Sequence, residues 1–144
     1  MSEVTVIDGE NKILGRLASE VARRVKDGEE VHIVNSEKAV VSGDKKEVLA
    51  DYKQKFDRGR RDRGPYFQKR PDKILKRTVK NMLPDGPDGR ELRSNYRTYL
   101  QVPDRFDEVQ DVDVKEGDDL RNRNYVTLTE ISEHIGSDFR GEQN

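Results

Sequence analysis

The sequence contains no cysteine and no tryptophan, and aromatic residues make up only 6% of its 144 positions. The lack of cysteine excludes disulfides, thiolate nucleophiles and cysteine-ligated zinc, and it fits a reducing compartment. Long apolar runs are missing as well, since none approaches the roughly 18 residues that a membrane span needs. The N-terminus has neither the basic nor the apolar region of a signal peptide. We therefore expect a cytoplasmic protein with no membrane partner.

Histidine is scarce, and its two copies belong to no catalytic or metal-binding pattern. No cluster of His, Asp or Glu accompanies His32 or His134 at ligand spacing, so both are interpreted as structural residues. Acids such as Glu37 and Asp44 are interpreted as helix caps or ion-pair partners, because no nucleophile is paired with them. We expect no catalytic residue, no metal, no cofactor and no small-molecule substrate.

A phosphate-binding glycine loop is also lacking, although Gly9 and Gly15 lie near the start of a predicted helix. Five residues separate these glycines where a nucleotide-binding loop has four. Arg16 stands in place of the lysine, and no Ser or Thr follows it to hold magnesium. We interpret Gly9 as a turn residue and Gly15 as a residue that allows close helix packing.

Hydrophobic residues account for only 31% of the chain, yet they fall into periodic segments. This periodicity indicates a folded protein with a thick charged shell and not a disordered chain. A chain of this length fits one domain, residues 1–144, that buries roughly two thirds of its unfolded surface.

The first part of the chain predicts a strand, a helix and a strand in succession. The β-branched run 4–7 predicts a buried strand, and residues 31–34 and 39–42 predict two more. Between residues 14 and 25, six apolar residues recur at helical spacing, which predicts an amphipathic helix. Strand, helix, strand is the order of a right-handed crossover unit with parallel strands.

A second helix is predicted to open at Gly43, where Asp44 can act as the cap and Glu47 completes a capping box. It should end in the run 57–65, which contains two glycines and a proline among its basic residues. We expect this run to be a basic, mobile loop.

A third helix is predicted from Pro71, because proline suits the first helical position and Pro84 closes the segment. One face carries Lys76, Arg77 and Lys80, a row of cations that can meet successive phosphates. The opposite face is apolar and should pack on a sheet, with Ile74, Leu75, Val79, Met82 and Leu83 as its members.

The last part of the chain predicts a turn over 84–89, a strand over 96–102 and an acidic linker over 104–119. A capping box at Thr127 opens a C-terminal helix over about 128–135.

The net charge of −1 hides a strong segregation of charge along the chain. Residues 58–97 hold thirteen Lys and Arg against five Asp and Glu, whereas residues 1–57 and 98–144 carry net charges of −2 and −7. Clustering like charge costs self-repulsion unless a polyanion binds there. The basic segment 58–97 is therefore predicted to bind nucleic acid, and the size of its excess disfavours the alternative of a merely solvated face.

The predicted binding residues are bases of this segment and one aromatic residue. Arginine is abundant in its first part, and the guanidinium group binds phosphate in a bidentate manner. Tyr66 can stack on a base, whereas burial beneath the third helix explains Phe67 at least as well. The full set is Arg58, Arg60, Arg61, Arg63, Tyr66, Lys69, Arg70, Lys73, Lys76, Arg77, Lys80 and Arg90.

Five blocks of the sequence follow one another in an order known from one family. They are Leu14-Gly15-Arg16-Leu17-Ala18-Ser19, Val34-Asn35-Ser36-Glu37 with Val40-Val41-Ser42-Gly43, Lys69-Arg70-Pro71, Met82-Leu83-Pro84 with Gly89-Arg90, and Tyr96-Arg97-Thr98-Tyr99-Leu100. Together they resemble the large-ribosomal-subunit protein L-thirteen family (universal ribosomal protein uL-thirteen) in its shorter archaeal form, over residues 4–136. Asn81 and Gln101 stand where the family pattern has glycine, which concerns local turn geometry.

The resemblance implies an α/β protein with a three-layer α/β/α fold around a four-stranded, mainly parallel sheet. It also implies binding to large-subunit ribosomal RNA at the residues given above, neighbouring large-subunit ribosomal proteins as partners, and no enzymatic activity.

The alternative is a small α/β enzyme that binds a nucleotide or a phosphorylated metabolite at the C-terminal edge of the parallel strands. The sequence offers this alternative neither a phosphate loop nor an acid/base constellation. The acidic flanks have two explanations, ordinary solubility or adaptation to a salty cytoplasm, where acidic surfaces stay hydrated.

Overall fold

The computed structural model describes residues 4–58, 70–84, 86–106, 108–120 and 124–135, with the backbone alone for residues 56–58. Its strands and helices, in chain order, are β1 (Val4–Asp8), α1 (Leu14–Lys26), β2 (Glu30–Val34), β3 (Val40–Ser42), α2 (Lys45–Arg58), α3 (Pro71–Lys80), α4 (Gly86–Arg93), β4 (Tyr96–Thr98), β5 (Tyr125–Thr127) and α5 (Leu128–His134). Short 3-10 turns lie at Ser36–Lys38 and Gly117–Asp119.

β1, β2 and β4 form a parallel sheet with β2 in the centre. The register pairs Ile7 with Ile33 and Ile33 with Thr98. Val31, Ile33 and Val34 of β2 are fully buried, as expected for a central parallel strand that is covered on both faces. With α1 between β1 and β2, the predicted strand, helix, strand unit with parallel strands is confirmed.

α1 supplies one wall of the hydrophobic core. All six apolar residues that the periodicity places on one face are buried, and Leu17, Val21 and Val25 are fully so. They pack with Leu75 of α3 and Leu128 of α5 in one continuous cluster. The mixed α/β fold is thus organised around this core, and it sets the positions of the outward-facing side chains.

The third predicted strand forms, but it lies in a second sheet. β3 pairs with β5 in an antiparallel arrangement, with Val41 opposite Val126. A parallel neighbour of β2 would need a crossover of about a dozen residues or more, and only the short turn at Ser36–Lys38 separates β2 from β3. Residues 125–127, for which the sequence predicts no strand, supply the partner strand.

Two segments between α3 and the acidic segment differ from their predicted structure. The predicted turn over 84–89 is wrong for its last four residues, because α4 begins at Gly86. The predicted strand over 96–102 stops at Thr98, and Gln101 adopts a left-handed backbone with a φ of 53°. Asn81, the other departure from the family pattern, has ordinary helical angles.

The acidic segment 104–119 has little regular structure, but it is attached to the fold at several points. Gln110 forms a parallel bridge with Ile7, through Asp8 N to Gln110 O at 3.0 Å and Gln110 N to Val6 O at 2.8 Å. Lys12, whose side chain is only 3% exposed, forms ion pairs with Asp111 and Glu116. Asp111 and Glu116 are thereby held just before the start of α1.

α5 begins with the capping box that the sequence indicates, since Thr127 Oγ1 accepts from Glu130 N at 3.1 Å and Thr127 N donates to Glu130 Oε1 at 3.1 Å. Within the described residues, no helix combines the length and the apolar composition that crossing a bilayer requires.

Candidate nucleic-acid interface

α3 is the centre of the candidate interface, and its two faces differ as predicted. Ile74, Leu75 and Val79 are buried in the core, and Leu83, just beyond the helix, is buried as well. On the outer side, Lys76 and Lys80 are exposed, and Lys73 and Arg77 are half-buried. Met82, which the periodicity assigns to the apolar face, is instead 37% exposed because the helix has already ended at Lys80.

The start of α3 is determined by its own sequence. Arg70 at the N-cap position has extended backbone angles, and Pro71 follows at the first helical position. Asp72 then places a carboxylate in the first turn, where the helix dipole favours negative charge. The basic residues Arg77 and Lys80 lie in the last turn, where the dipole favours positive charge.

β4 holds α3 in place through two side-chain hydrogen bonds to its main chain. Tyr96 Oη donates to Lys76 O, and Thr98 Oγ1 donates to Asp72 O, each at 2.9 Å. Burial raises the pKa of Tyr96 to about 12, against a smaller opposing effect of the Arg93 cation. The hydroxyl therefore stays protonated and able to donate at physiological pH.

The lysines of α3 differ from the basic residues of α1 in their partners among the described residues. No carboxylate among the described residues forms an ion pair with the ammonium group of Lys73, Lys76 or Lys80. By contrast, Glu20 pairs with Arg23 at 2.6 Å and with Arg24 at 2.8 Å, and these guanidinium groups lower the pKa of its carboxyl. Within the described residues, the charge of the α3 lysines is therefore not neutralised by an ion pair.

The twelve predicted binding residues divide into a described and an undescribed group. Arg70, Lys73, Lys76, Arg77 and Lys80 lie on or directly before α3. Arg90 is exposed on α4, the next helix. The side chain of Arg58 and all of Arg60, Arg61, Arg63, Tyr66 and Lys69 lie outside the described residues, as do Phe67 and the predicted loop beyond residue 58.

The structure also describes two further bases of the segment 58–97. Arg97 on β4 is exposed, and Arg93 at the end of α4 is half-buried. Neither is one of the twelve predicted binding residues, although both are among the thirteen bases that give the segment 58–97 its positive charge.

His32 has a structural role, as predicted. It is buried and stacks on Tyr99 with ring centroids 5.6 Å apart, and Phe106 meets its edge at 5.5 Å. Its Nδ1 lies 3.0 Å from Tyr99 Oη and its Nε2 lies 2.8 Å from Glu30 Oε2. His134 is exposed at the end of α5. In the part of the chain that the structure describes, no group of three or more His, Asp or Glu residues is arranged to hold a metal.

The two glycines near the start of α1 differ in what they do. Gly9 begins the predicted turn, since its carbonyl oxygen accepts from Lys12 N at 3.2 Å. Its N–H donates to Val34 O at 2.9 Å, and an added Cβ would lie 3.2 Å from that oxygen. The interpretation of Gly15 as a packing residue is wrong, because an added Cβ there would meet no heavy atom within 4 Å.

Comparison with known proteins identifies the family of this chain. Residues 2–104 match the family model described as Ribosomal protein L13. The chain belongs to the ribosomal protein L13 family. It is 41% identical over 145 residues to the "Large ribosomal subunit protein uL13" of Archaeoglobus fulgidus, covering 96% of this chain and 90% of the relative. The same protein of Methanosarcina barkeri is 43% identical over 140 residues, with 94% and 100% of the two chains covered. That of Halobacterium salinarum is 43% identical over 136 residues, with 92% and 90% covered.

Membership of the L13 family makes this chain a ribosomal protein with a structural and not a catalytic role. The alternative of a small nucleotide-binding enzyme is therefore not favoured.

Proposed function

We propose that this L13-family chain is a structural constituent of the large ribosomal subunit in the cytoplasm, where it binds large-subunit ribosomal RNA and supports its assembly. The names of its relatives place them in that subunit. The observation that carries the proposal is the α3 surface, whose lysines have no carboxylate partner among the described residues while the opposite face of the helix is fixed in the core. Because the helix backbone is already fixed by the core, binding to phosphates has to order only the side chains of these cations.

The proposed RNA-binding residues are the twelve of the sequence prediction. Lys73, Lys76, Arg77 and Lys80 form the described centre, and Arg70 and Arg90 extend it. The bases of 58–69 add charge on the same segment, and Tyr66 supplies an aromatic ring for stacking on a base. The charge excess of the segment 58–97 supports this assignment, and the acidic segment 104–119 supports the view that the other part of the surface is turned away from RNA.

A finer account of the fold belongs to the same proposal. We infer a fourth strand in the parallel sheet and a three-layer arrangement, as the family resemblance implies. The parallel bridge between Ile7 and Gln110 supports this, because it adds a chain segment to the free edge of β1. Neighbouring ribosomal proteins complete the proposed set of partners.

The test is the salt dependence of binding to large-subunit ribosomal RNA stripped of protein. The slope of log K against log[KCl] is negative for a phosphate-binding protein. Changing Lys73, Arg77 and Lys80 together to Ala should make this slope less steep by up to about three, near one for each lost phosphate contact. The matched control changes three exposed lysines of α1 and α2, Lys26, Lys46 and Lys53, to Ala and removes the same charge. It should leave the slope within about one unit of the parent protein.

Equal slopes for the parent and the α3 variant would refute the proposed interface. A control variant that loses as much as the α3 variant would show that binding follows net charge and not this surface.

A further inference from the structure

A cleft of about 510 Å³ lies between the start of α3 and the chain that follows β4. Arg70 and Asp72 form one side, and residues 98–104 form the other. The cleft is at the C-terminal end of β4, the edge at which parallel sheets place their ligands. Its chemistry differs from that of the basic face beside it.

Asp72 supplies a buried carboxylate to this cleft that is not fully satisfied. The residue is 6% exposed, and its Oδ1 has no hydrogen-bond donor within the described chain. Arg70 is only a loose partner, with Nε 3.3 Å from Oδ1 outside hydrogen-bond geometry and Nη2 at 3.4 Å from Oδ2. Thr98 hydrogen-bonds the main-chain oxygen of Asp72 and not its carboxylate. A buried carboxylate oxygen without a donor is costly, so a ligand that donates there would be stabilised.

The charge of the cleft favours a cation over a phosphate. Two carboxylates, Asp72 and Asp104, face one guanidinium, that of Arg70. The remaining lining is largely apolar and includes Tyr99, Val102 and a proline, and Val102 is 40% exposed. An arginine side chain fits both parts, because its aliphatic stem covers apolar surface while its planar guanidinium donates to a carboxylate.

The wall opposite Asp72 is preorganised. Gln101 N donates to the buried carboxylate of Glu37 at 3.0 Å, and Gln101 O accepts from Asn35 N at 2.9 Å. These bonds hold Gln101 in its left-handed conformation and give the chain its bend around the cleft. A preformed cleft binds a ligand without first having to be ordered.

We propose that this cleft binds an arginine side chain in an extended basic segment of a neighbouring protein. This rests on the proposed function, since such neighbours are met inside the large subunit. The incoming guanidinium donates to Asp72 Oδ1 and displaces the loosely held Arg70, while Asp104 at the rim adds attraction. The surface would thus join protein to protein beside the face that joins protein to RNA.

The test uses the full chain without RNA and a hexapeptide of alternating glycine and arginine, acetylated and amidated at its ends. Isothermal titration in low salt should show binding, and the same peptide with citrulline in place of arginine should bind at least about tenfold more weakly. Asp72→Asn should cause a loss of the same order, and Asp104→Asn a smaller one. Asp88→Asn, on the exposed surface of α4, is the control for general attraction to acids and should change nothing.

Arg70→Ala separates this proposal from nucleotide binding and from the RNA interface. Arg70→Ala should tighten peptide binding, because it removes the competitor for Asp72. In the RNA experiment it should make the salt slope less steep by about one, which corresponds to one lost phosphate contact. A cleft that binds guanosine monophosphate and loses it on Arg70→Ala would overturn the proposal. Equal affinity for the arginine and citrulline peptides, or equal effects of Asp104→Asn and Asp88→Asn, would overturn it too, even if Asp72→Asn failed to fold in a thermal melt.

Discussion

The hydroxyl of Tyr96 donates to the main-chain oxygen of Lys76 at 2.9 Å, which ties β4 to the middle of α3. Thr98, two residues further along the same strand, ties the first turn of α3 in the same way. The side chains that hold the basic helix therefore come from the strand that follows it in sequence. The orientation of the cations depends on these bonds as well as on core packing.

Tyr96→Phe should lower the free energy of unfolding by about 1 kcal/mol at neutral pH, since it removes one buried hydrogen bond without changing the ring. The difference should shrink at high pH. The pKa of Tyr96 is raised to about 12 in the folded protein, so its contribution is complete below about pH 10 and is lost as the pH rises toward 12. Urea denaturation at a series of pH values measures both effects.

The matched control for this change is Tyr125→Phe. Tyr125 is half-buried in β5, and its hydroxyl has no hydrogen bond to a residue that the structure describes. Tyr125→Phe should change the free energy of unfolding by no more than about 0.5 kcal/mol. The account of Tyr96 would be contradicted if the free energies of unfolding of Tyr96→Phe and the parent protein differed by the same amount at pH 8 and at pH 12.

Gly89→Ala should destabilise the protein by at least about 2 kcal/mol, because the added Cβ would lie 1.6 Å from Pro84 O and α4 would have to shift. Gly15→Ala is the matched control, since its Cβ would enter open space in the first turn of α1. That change should be neutral or stabilising by up to about 1 kcal/mol. Thermal or urea unfolding of the two variants gives the comparison, and equal effects would refute the packing argument.

The ion pairs of Lys12 should show an asymmetry between its removal and the removal of its partners. Asp111→Asn with Glu116→Gln leaves the buried Lys12 ammonium without a counter-charge, which should lower the free energy of unfolding. Lys12→Met should cost less, because it leaves no buried charge and the acids can reach water. Urea denaturation at neutral pH measures both, and a larger loss for Lys12→Met would contradict the prediction.

Acid titration gives a second view of this ion pair. The hydrogen bond and the charge of Lys12 lower the pKa of Asp111 from its ordinary 3.8, so the stabilisation is present above that pH and is lost as the pH falls through the lower folded value. Lys12→Met should remove this component of the acid sensitivity. Glu108→Gln with Asp113→Asn, two exposed acids of the same segment, should leave it unchanged.

If the acidic flanks reflect a salty cytoplasm, the free protein should gain thermal stability as KCl rises from millimolar to molar. The screening length falls from roughly 30 Å at 0.01 M to about 3 Å at 1 M, which relieves repulsion among exposed acids such as Asp104, Glu108 and Asp113. The variant that neutralises Glu108 and Asp113 should show a smaller gain. A melting temperature that is flat or falls across the series would speak for ordinary solubility instead.

Local sequence was sufficient for the elements with strong periodicity. α1 and α3 have apolar stripes at helical spacing, and three of the five residues of β2 are β-branched. Each element was therefore predicted within a few residues of its observed bounds. The basic face of α3 followed from the same spacing, because a helix that buries one face must present the other. The charge excess of residues 58–97 was also a property of composition alone.

What only the tertiary structure decided depends on contacts between distant segments. β3 pairs with β5, and Glu37 accepts from the main chain of the left-handed Gln101 just after β4 ends. Both contacts join residues that lie far apart in sequence. The cleft beside Asp72 exists for the same reason, since its two walls come from the start of α3 and from the chain after β4. Periodicity reports which face of an element is buried, but it carries no information about which other element covers that face, because that choice depends on the summed packing and hydrogen bonding of the whole chain.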